Sequence, residues 1–343
     1  MRWKYAMERA LYGPSGFYRH PDGPAAHFRT SVHATPLFAT ALLRLLTRVD
    51  KALGHPPTID VVDVGAGRGE LLAQLSQQAP AELGQRCVFT AVEVAARPTT
   101  LASHIQWRAH IPEFRGLLIA NEWLDNVPLD IAIIDAPGSA RYVLVDEAGT
   151  EHPGPAIGPE DAAWLSRWAP TDAARVELGT TRAKAWQDTI SQLRAGVAVA
   201  IDYRASGAAT LTGFSQGREV APIPDGSCDI TAHVHVESVA AAGIEAGALT
   251  SVELSQRAAL MDLGITAARP RLDLAAREPL IYMRALAEAG QAAEILDPDG
   301  LGAFAWLIQT KELPAKTAAS ILPTPIPPNT AREQQSTRGR MPG

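Results

Sequence analysis

Between Thr35 and Leu53 the apolar side chains Leu37, Phe38, Leu42, Leu45, Leu46 and Val49 share one helical face, and Gly54-His55-Pro56-Pro57 ends the pattern. A shorter helix is predicted over residues 3–12, where Tyr5, Ala6, Arg9 and Ala10 keep helical spacing as far as Gly13-Pro14. The following turn carries Phe17 and Tyr18, and residues 20–30 read as loop. From Ile59 the pattern changes. Short apolar runs at Ile59–Val64, Val88–Val94, Gly116–Ala120 and Val197–Tyr203 alternate with helical stretches such as Gly69–Gln78 and Thr181–Leu193. Ile131–Asp135 and Arg141–Asp146 read as two strands joined at Pro137-Gly138, and residues 176–178 as a short one. This alternation predicts an α/β fold, with a mostly parallel sheet covered by helices on both faces.

Beyond Tyr203 the pattern is less regular. Residues 149–160 read as a surface loop and 204–236 as loop-rich, with helices over 237–242, 255–263 and 271–295. Phe304–Gln309 reads as a final strand. Residues 314–343 hold six prolines and little apolar surface after Ile326, so a disordered tail is expected. The organisation expected is an N-terminal helical cap (1–54), a core (55–203), a mainly helical lobe (204–300), a last core strand (301–313) and the tail.

Composition narrows the function. With 343 residues, 46% hydrophobic and 20% charged, the chain is of ordinary globular type and large enough for a sizeable core. A net charge of −6 provides no overall basic field for a nucleic-acid backbone. No apolar run approaches a membrane span, and the first residues lack the apolar run of a signal peptide, so a cytoplasmic protein is expected. Cys87 and Cys228 stand apart and read as small buried residues, and His233 and His235 alone lack the further ligands of a metal site. No metal is expected.

The strand Ile59–Val64, with Asp63 near its end, runs into Gly65-Ala66-Gly67-Arg68-Gly69 and then a helix. Glycines remove side chains where backbone approaches a ligand, and the helix N-terminus offers free N–H groups to a carboxylate or phosphate. A dinucleotide fingerprint needs glycine two residues after Arg68, where Glu70 stands. Glu70 also puts negative charge where a pyrophosphate would sit. The pattern acidic-x-Gly-x-Gly-x-Gly resembles the first motif of class I S-adenosylmethionine (SAM) methyltransferases. A tight turn without ligand and a dinucleotide site remain the alternatives. Glu93, at the end of the next strand, is placed to accept hydrogen bonds from ribose hydroxyls, as any adenosine cofactor requires.

A second segment delivers amide, carboxylate, aromatic and carboxylate groups within five residues: Asn121-Glu122-Trp123-Leu124-Asp125. In open α/β sheets ligands lie beyond the carboxyl ends of the strands, so this loop should face the reacting group. An arginine acceptor keeps its proton beforehand, and paired carboxylates can grip its guanidinium and aim one nitrogen. Glu122 and Asp125 suit that task, with Asn121 beside them. A solvated helix start is the plainer alternative.

Taken with Ala6-Met7-Glu8-Arg9-Ala10-Leu11-Tyr12-Gly13-Pro14-Ser15-Gly16-Phe17-Tyr18, Phe28-Arg29-Thr30-Ser31, Ala200-Ile201-Asp202-Tyr203 and Asp229-Ile230-Thr231-Ala232-His233-Val234, these loops make the chain resemble the MidA-like SAM-dependent methyltransferases. That family includes a mitochondrial complex I assembly factor that methylates a protein arginine. The resemblance runs along most of residues 6–310. It implies a Rossmann-like class I sheet, SAM as cofactor and a protein partner presenting an arginine. It also implies that Phe28, Thr30 and Ser31 cap the cofactor, that Asp202 and Tyr203 close the site, and that Asp229 and Thr231 belong to the acceptor side. Helix capping by Thr30-Ser31 and strand-end capping by Asp202 are the structural alternatives. The chain departs from the family at Ala26-His27 (usually Gly-Asp), Trp123 (usually Phe) and Arg204 (usually Gly), all assigned to the acceptor side. A small-metabolite acceptor, or SAM binding without turnover in an assembly factor, are the rival functions.

Overall fold

The computed structural model describes residues 1–19, 30–136, 139–206, 209–313, 318, 320 and 321. In chain order the strands are β1 (Ile59–Val64), β2 (Cys87–Val92), β3 (Gln106–Arg108), β4 (Phe114–Asn121), β5 (Asp130–Ala136), β6 (Ser139–Val145), β7 (Glu151–Ala156), β8 (Arg175–Leu178), β9 (Leu193–Asp202), β10 (Thr212–Ser215), β11 (Arg218–Val220), β12 (Asp229–Thr231), β13 (Thr250–Ser255) and β14 (Ala305–Lys311).

Seven of them form one sheet in the order β13-β14-β9-β4-β1-β2-β3. β9, β4, β1, β2 and β3 run parallel, and β14 is antiparallel to both of its neighbours. The central strands are apolar on both faces because helices cover both. Val61, Leu117, Ile119 and Val199 meet the helices Pro36–Ala52 and Glu70–Gln78, while Val62, Leu118, Ala120 and Ala198 meet Thr180–Gln192 and Val236–Glu245. β4 and β9 approach closely at Gly116 and Gly196, where a Cβ on Gly196 would lie 2.1 Å from the Gly116 oxygen. The fold expected from sequence is present: an α/β sheet wound on both faces. Its chain order reverses between β1 and β4, and ligands of such sheets bind at that switch point.

Several elements differ from the sequence reading. β5 and β6, expected within the α/β alternation, pair with β7 and β8 in a separate antiparallel sheet of order β7-β6-β5-β8. One face of this sheet, with Ile131, Val143 and Val145, packs on Trp3, Met7 and Leu11 of the helix Trp3–Tyr12, and the other, with Ala132 and Tyr142, on Trp164. β7 and the helix Pro159–Trp168 occupy the stretch read as surface loop, since the prolines sit at an edge strand and at a helix start. The expected helix 271–295 is two, Leu272–Arg277 and Pro279–Ile295, divided where Pro279 lacks an N–H. The region 204–300, expected to be mainly helical, also carries β10–β12 as a small sheet and β13 in the main one. The expected tail and Ala26-His27 lie outside the described residues, residues 318, 320 and 321 excepted. Among the described residues no helix is long and apolar enough to cross a membrane.

Candidate active site

At the carboxyl ends of β1, β2 and β4 lies a cavity of about 590 Å³. The glycine loop forms one wall. Gly65, Gly67 and Gly69 all take positive φ (69°, 57° and 83°). A side chain at Gly65 would come within 3.0 Å of Trp123 Cδ1. Gly69 is the N-cap of the helix Glu70–Gln78 and lies against Leu101, so it shapes the turn without lining the cavity. Asp63, next to last in β1, lies in the cavity wall, and burial, followed by the charges of Glu70 and Glu93, pushes its carboxyl well above the usual range. Glu93, just past β2, accepts from the Gly67 N–H at 3.0 Å and from the N–H groups of Val94 and Ala95 at 2.7 and 3.0 Å. It ties the glycine loop to the neighbouring strand end. Glu70 accepts from the Arg68 N–H at 3.0 Å, and His33 lies 3.6 Å from it.

The acidic loop forms the other end. The Glu122 N–H donates to the Ile201 oxygen at 2.8 Å, which holds Glu122 at φ 51°, a left-handed conformation rare outside glycine. Its carboxylate accepts from the Ser31 N–H at 3.2 Å and from Asn121 Nδ2 at 3.0 Å. Burial, then the Asp125 charge, raises Glu122 to about 7. Asp125 accepts from Thr231 Oγ1 at 2.8 Å, and burial raises it too. Asp125 Oδ1 and Asn121 Oδ1 are buried acceptors with no hydrogen-bond partner among the described residues. Asp229 accepts from Asn126 Nδ2 at 3.0 Å and lies 3.1 Å from Tyr18 OH; burial, then Asp125, lifts it to about 7.

The remaining residues expected at the site divide. Thr30 lines the cavity and hydrogen-bonds His33 Nδ1 at 2.9 Å. Ser31 is buried against Gln256 (3.1 Å) outside the cavity lining, and its contribution is the N–H that holds Glu122. Phe28 lies outside the described residues. Asp202 does not line the cavity either: its Oδ2 accepts from the N–H groups of Leu124 and Asp125 at 2.9 and 3.1 Å, so it caps the turn that carries Asp125. Asp202→Ala leaves those two N–H groups unpaired, and the thermal midpoint is expected to fall by an amount equivalent to about 1–3 kcal/mol; an unchanged midpoint in calorimetry would refute the cap. Tyr203 lines the cavity and stacks on His233 at 5.4 Å. His235 instead caps the helix Val236–Glu245. Arg204 pairs with Glu237 and Glu253. The cysteines are free, Cys228 buried and Cys87 half-buried.

Sequence reasoning missed Tyr12 and Tyr18 as site residues. They stack at 5.5 Å, line the cavity, and donate to the backbone oxygen (3.1 Å) and Oδ1 (2.8 Å) of Asn126. The available signal was a tyrosine on each side of the Gly13–Gly16 turn. Asn126, which also lines the cavity, was missed for another reason: its partners Tyr18 and Asp229 lie far off in sequence.

The described lining holds seven carboxylates (Asp63, Glu70, Glu93, Glu122, Asp125, Asp188 and Asp229) and no lysine or arginine. Such a cavity favours a cation. A glycine cradle at a helix start, an acid at the end of β2 and an acidic chamber with orphan acceptors therefore fit SAM, whose sulfonium is positive. A model of the family described as "Putative S-adenosyl-L-methionine-dependent methyltransferase" matches residues 41–254. This chain belongs to that family. A crystal structure of a "likely methyl transferase" from Burkholderia thailandensis, bound to S-adenosyl-homocysteine, is 26% identical with a TM-score of 0.73, over 92% of this chain and 89% of the other. The native crystal structure of an uncharacterized protein of the same superfamily and organism matches at 26% identity and TM-score 0.73, over 92% and 88%. No curated protein matches the sequence.

The chain is thus a SAM-dependent methyltransferase with a Rossmann-like sheet, and SAM is its cofactor. Its carboxylates give a pH test. Glu122 and Asp229 stand near 7 in the folded state, above their ordinary values of 4.5 and 3.8. The folded methyltransferase therefore holds extra protons between those limits. The stability associated with these groups is present below the ordinary values and is lost as pH rises through about 7. The thermal midpoint of the ligand-free protein should therefore fall between pH 6 and pH 8 through these groups, and fall less in Glu122→Gln. A midpoint equally pH-dependent in Glu122→Gln would contradict this electrostatic account.

Proposed function

We propose that this methyltransferase transfers the methyl group to an arginine side chain of a protein, as the resemblance to the MidA-like family implies. The observation that carries the reading is the pair Glu122 and Asp125, facing a cavity whose described lining holds no lysine or arginine, with Asp125 Oδ1 and Asn121 Oδ1 buried and unpaired among the described residues. A guanidinium has donors for all of them.

When bound, SAM supplies a methyl group already activated on a positive sulfur. Asp63 and the glycine loop hold the methionine end, and Glu93 the ribose. Thr30, from the N-terminal segment, lies over the cofactor side. Glu122 and Asp125 grip the guanidinium by charge-assisted bonds, and Asn121 directs one nitrogen along the line of displacement. Tyr12, Tyr18, Asp229 and Thr231 shape the acceptor end. Burial near Glu122 removes water from the nitrogen that attacks. The nitrogen gains the methyl and loses one proton, which Glu122, standing near 7, is suited to take.

Incubating lysate with methyl-labelled SAM and the protein tests this. Label is expected in protein, as methylarginine after hydrolysis. Label only in small molecules would overturn the arginine reading while leaving the methyltransferase in place.

A further inference from the structure

Arg182 is the only arginine or lysine buried below a tenth of its surface among the described residues, at 1% exposure. Buried guanidinium groups are usually met by a carboxylate at hydrogen-bond distance. Among the described residues this one bonds only backbone carbonyls. Nε donates to the Val127 oxygen at 3.1 Å, Nη1 to those of Ala232 and His233 at 2.7 and 2.8 Å, and Nη2 to that of Asp125. The four carbonyls come from two segments far apart in sequence, and they are the two that build the acceptor end.

The same segments meet elsewhere through the Thr231–Asp125 bond at 2.8 Å and the Asn126–Asp229 bond at 3.0 Å. Arg182 reaches them from the helix Thr180–Gln192, which is fixed on the core by Trp186 donating to Gln309 at 2.8 Å and by Thr181 donating to the Pro128 oxygen at 2.6 Å. It is absent from the lining of the active-site cavity. It lines instead a second cavity of about 210 Å³, with Trp164, Trp168 and His233. Any effect on the acceptor must therefore pass through the groups it holds.

We propose that Arg182 is a positioning residue for methyl transfer: its planar fork sets the spacing of the Asp125 and Thr231 segments, and its charge prepares the Asp125 carboxylate for a cationic acceptor. Around Asp125 the acids are Glu122, Asp202 and Asp229, and the other titratable groups are His233, Tyr12, Tyr18 and Tyr203. Arg182 is the cation of fixed charge in this set. Its removal strips the acceptor end of a counter-charge and of the clamp between its halves. Lysine keeps the charge, but its single ammonium cannot span four carbonyls in a plane.

The inference rests on placing the acceptor at Glu122 and Asp125. The experiment compares Arg182→Met and Arg182→Lys in the full chain, reading S-adenosylhomocysteine release against pH with an acceptor-containing lysate fraction, and S-adenosylhomocysteine affinity by calorimetry. Both variants should bind S-adenosylhomocysteine within about threefold of wild type while kcat falls, about 100-fold for Met. The acidic limb of kcat/KM should move to higher pH in Arg182→Met and stay in place in Arg182→Lys. A folded Arg182→Met with unchanged kcat and limb, or an Arg182→Lys equal to wild type in kcat, overturns the proposal. If Arg182→Met fails to fold, Arg182→Lys decides. Wild-type turnover that survives Glu122→Gln would instead refute the placement of the acceptor, irrespective of Arg182.

Discussion

Glu122→Gln will bind SAM nearly as well as wild type and lose about 100-fold or more in methyl transfer. The substitution is isosteric. The amide oxygen of the replacing glutamine can still accept from the Ser31 N–H, which meets Glu122 at 3.2 Å, so the link between the N-terminal segment and the acidic loop survives. What disappears is one negative charge of the guanidinium grip. A charge-assisted bond of that kind contributes roughly 1.5–3 kcal/mol, and misalignment of the attacking nitrogen adds to the loss. The backbone conformation at Glu122 points the same way. Glu122 occupies φ 51°, an unfavourable conformation for a side chain of this size, held by the bond to Ile201. Strain of this sort is retained where geometry matters to function. Calorimetry with SAM and measurement of S-adenosylhomocysteine release check both halves. Equal loss of affinity and turnover would move Glu122 from the acceptor to the cofactor.

The second large effect is expected at the glycine loop. Gly65→Val should weaken SAM binding by about 100-fold or more and abolish the thermal shift given by the cofactor, because a β-branched residue at positive φ is a severe outlier. The clash compounds it: the new Cβ would lie 3.0 Å from Trp123 Cδ1, so the side chain would push the acidic loop as well. Gly67→Ala is the contrast. Its Cβ meets only Glu70 Oε2, at 3.6 Å, so the cost is mainly the left-handed backbone, about 1–2 kcal/mol or a fall in affinity of roughly 10-fold. If both variants bind equally well, the loop is not the cofactor cradle.

The reading from sequence succeeded where one chain segment carries its own physics. The run Ile59–Val64 into three glycines specified strand, turn and helix, and Glu70 separated the cofactor classes before any geometry was known. Glu122 and Asp125 were legible as cavity residues because they follow an apolar strand directly. Roles that depend on distant partners were not. Asp202 looked like a residue closing the site and is a cap under Asp125, because the N–H groups it satisfies belong to residues 124 and 125. Ser31 acts through its N–H, which no side-chain pattern reveals. Arg182 sits in an ordinary amphipathic helix, and its bonds to two distant segments appear only once residues 125–127 and 232–233 are side by side. The antiparallel sheet of β5–β8 was misplaced because a strand's period of two fixes its exposed face but not its partner strand.

The central claim is that the Glu122–Asp125 end receives an arginine. Its most direct test is mass spectrometry of protein arginine methylation in cells carrying wild-type or Glu122→Gln protein at equal abundance. The account predicts at least one methylarginine site present with wild type and absent with the variant. An identical set of methylarginine sites in both, with S-adenosylhomocysteine release still dependent on Glu122, would contradict it.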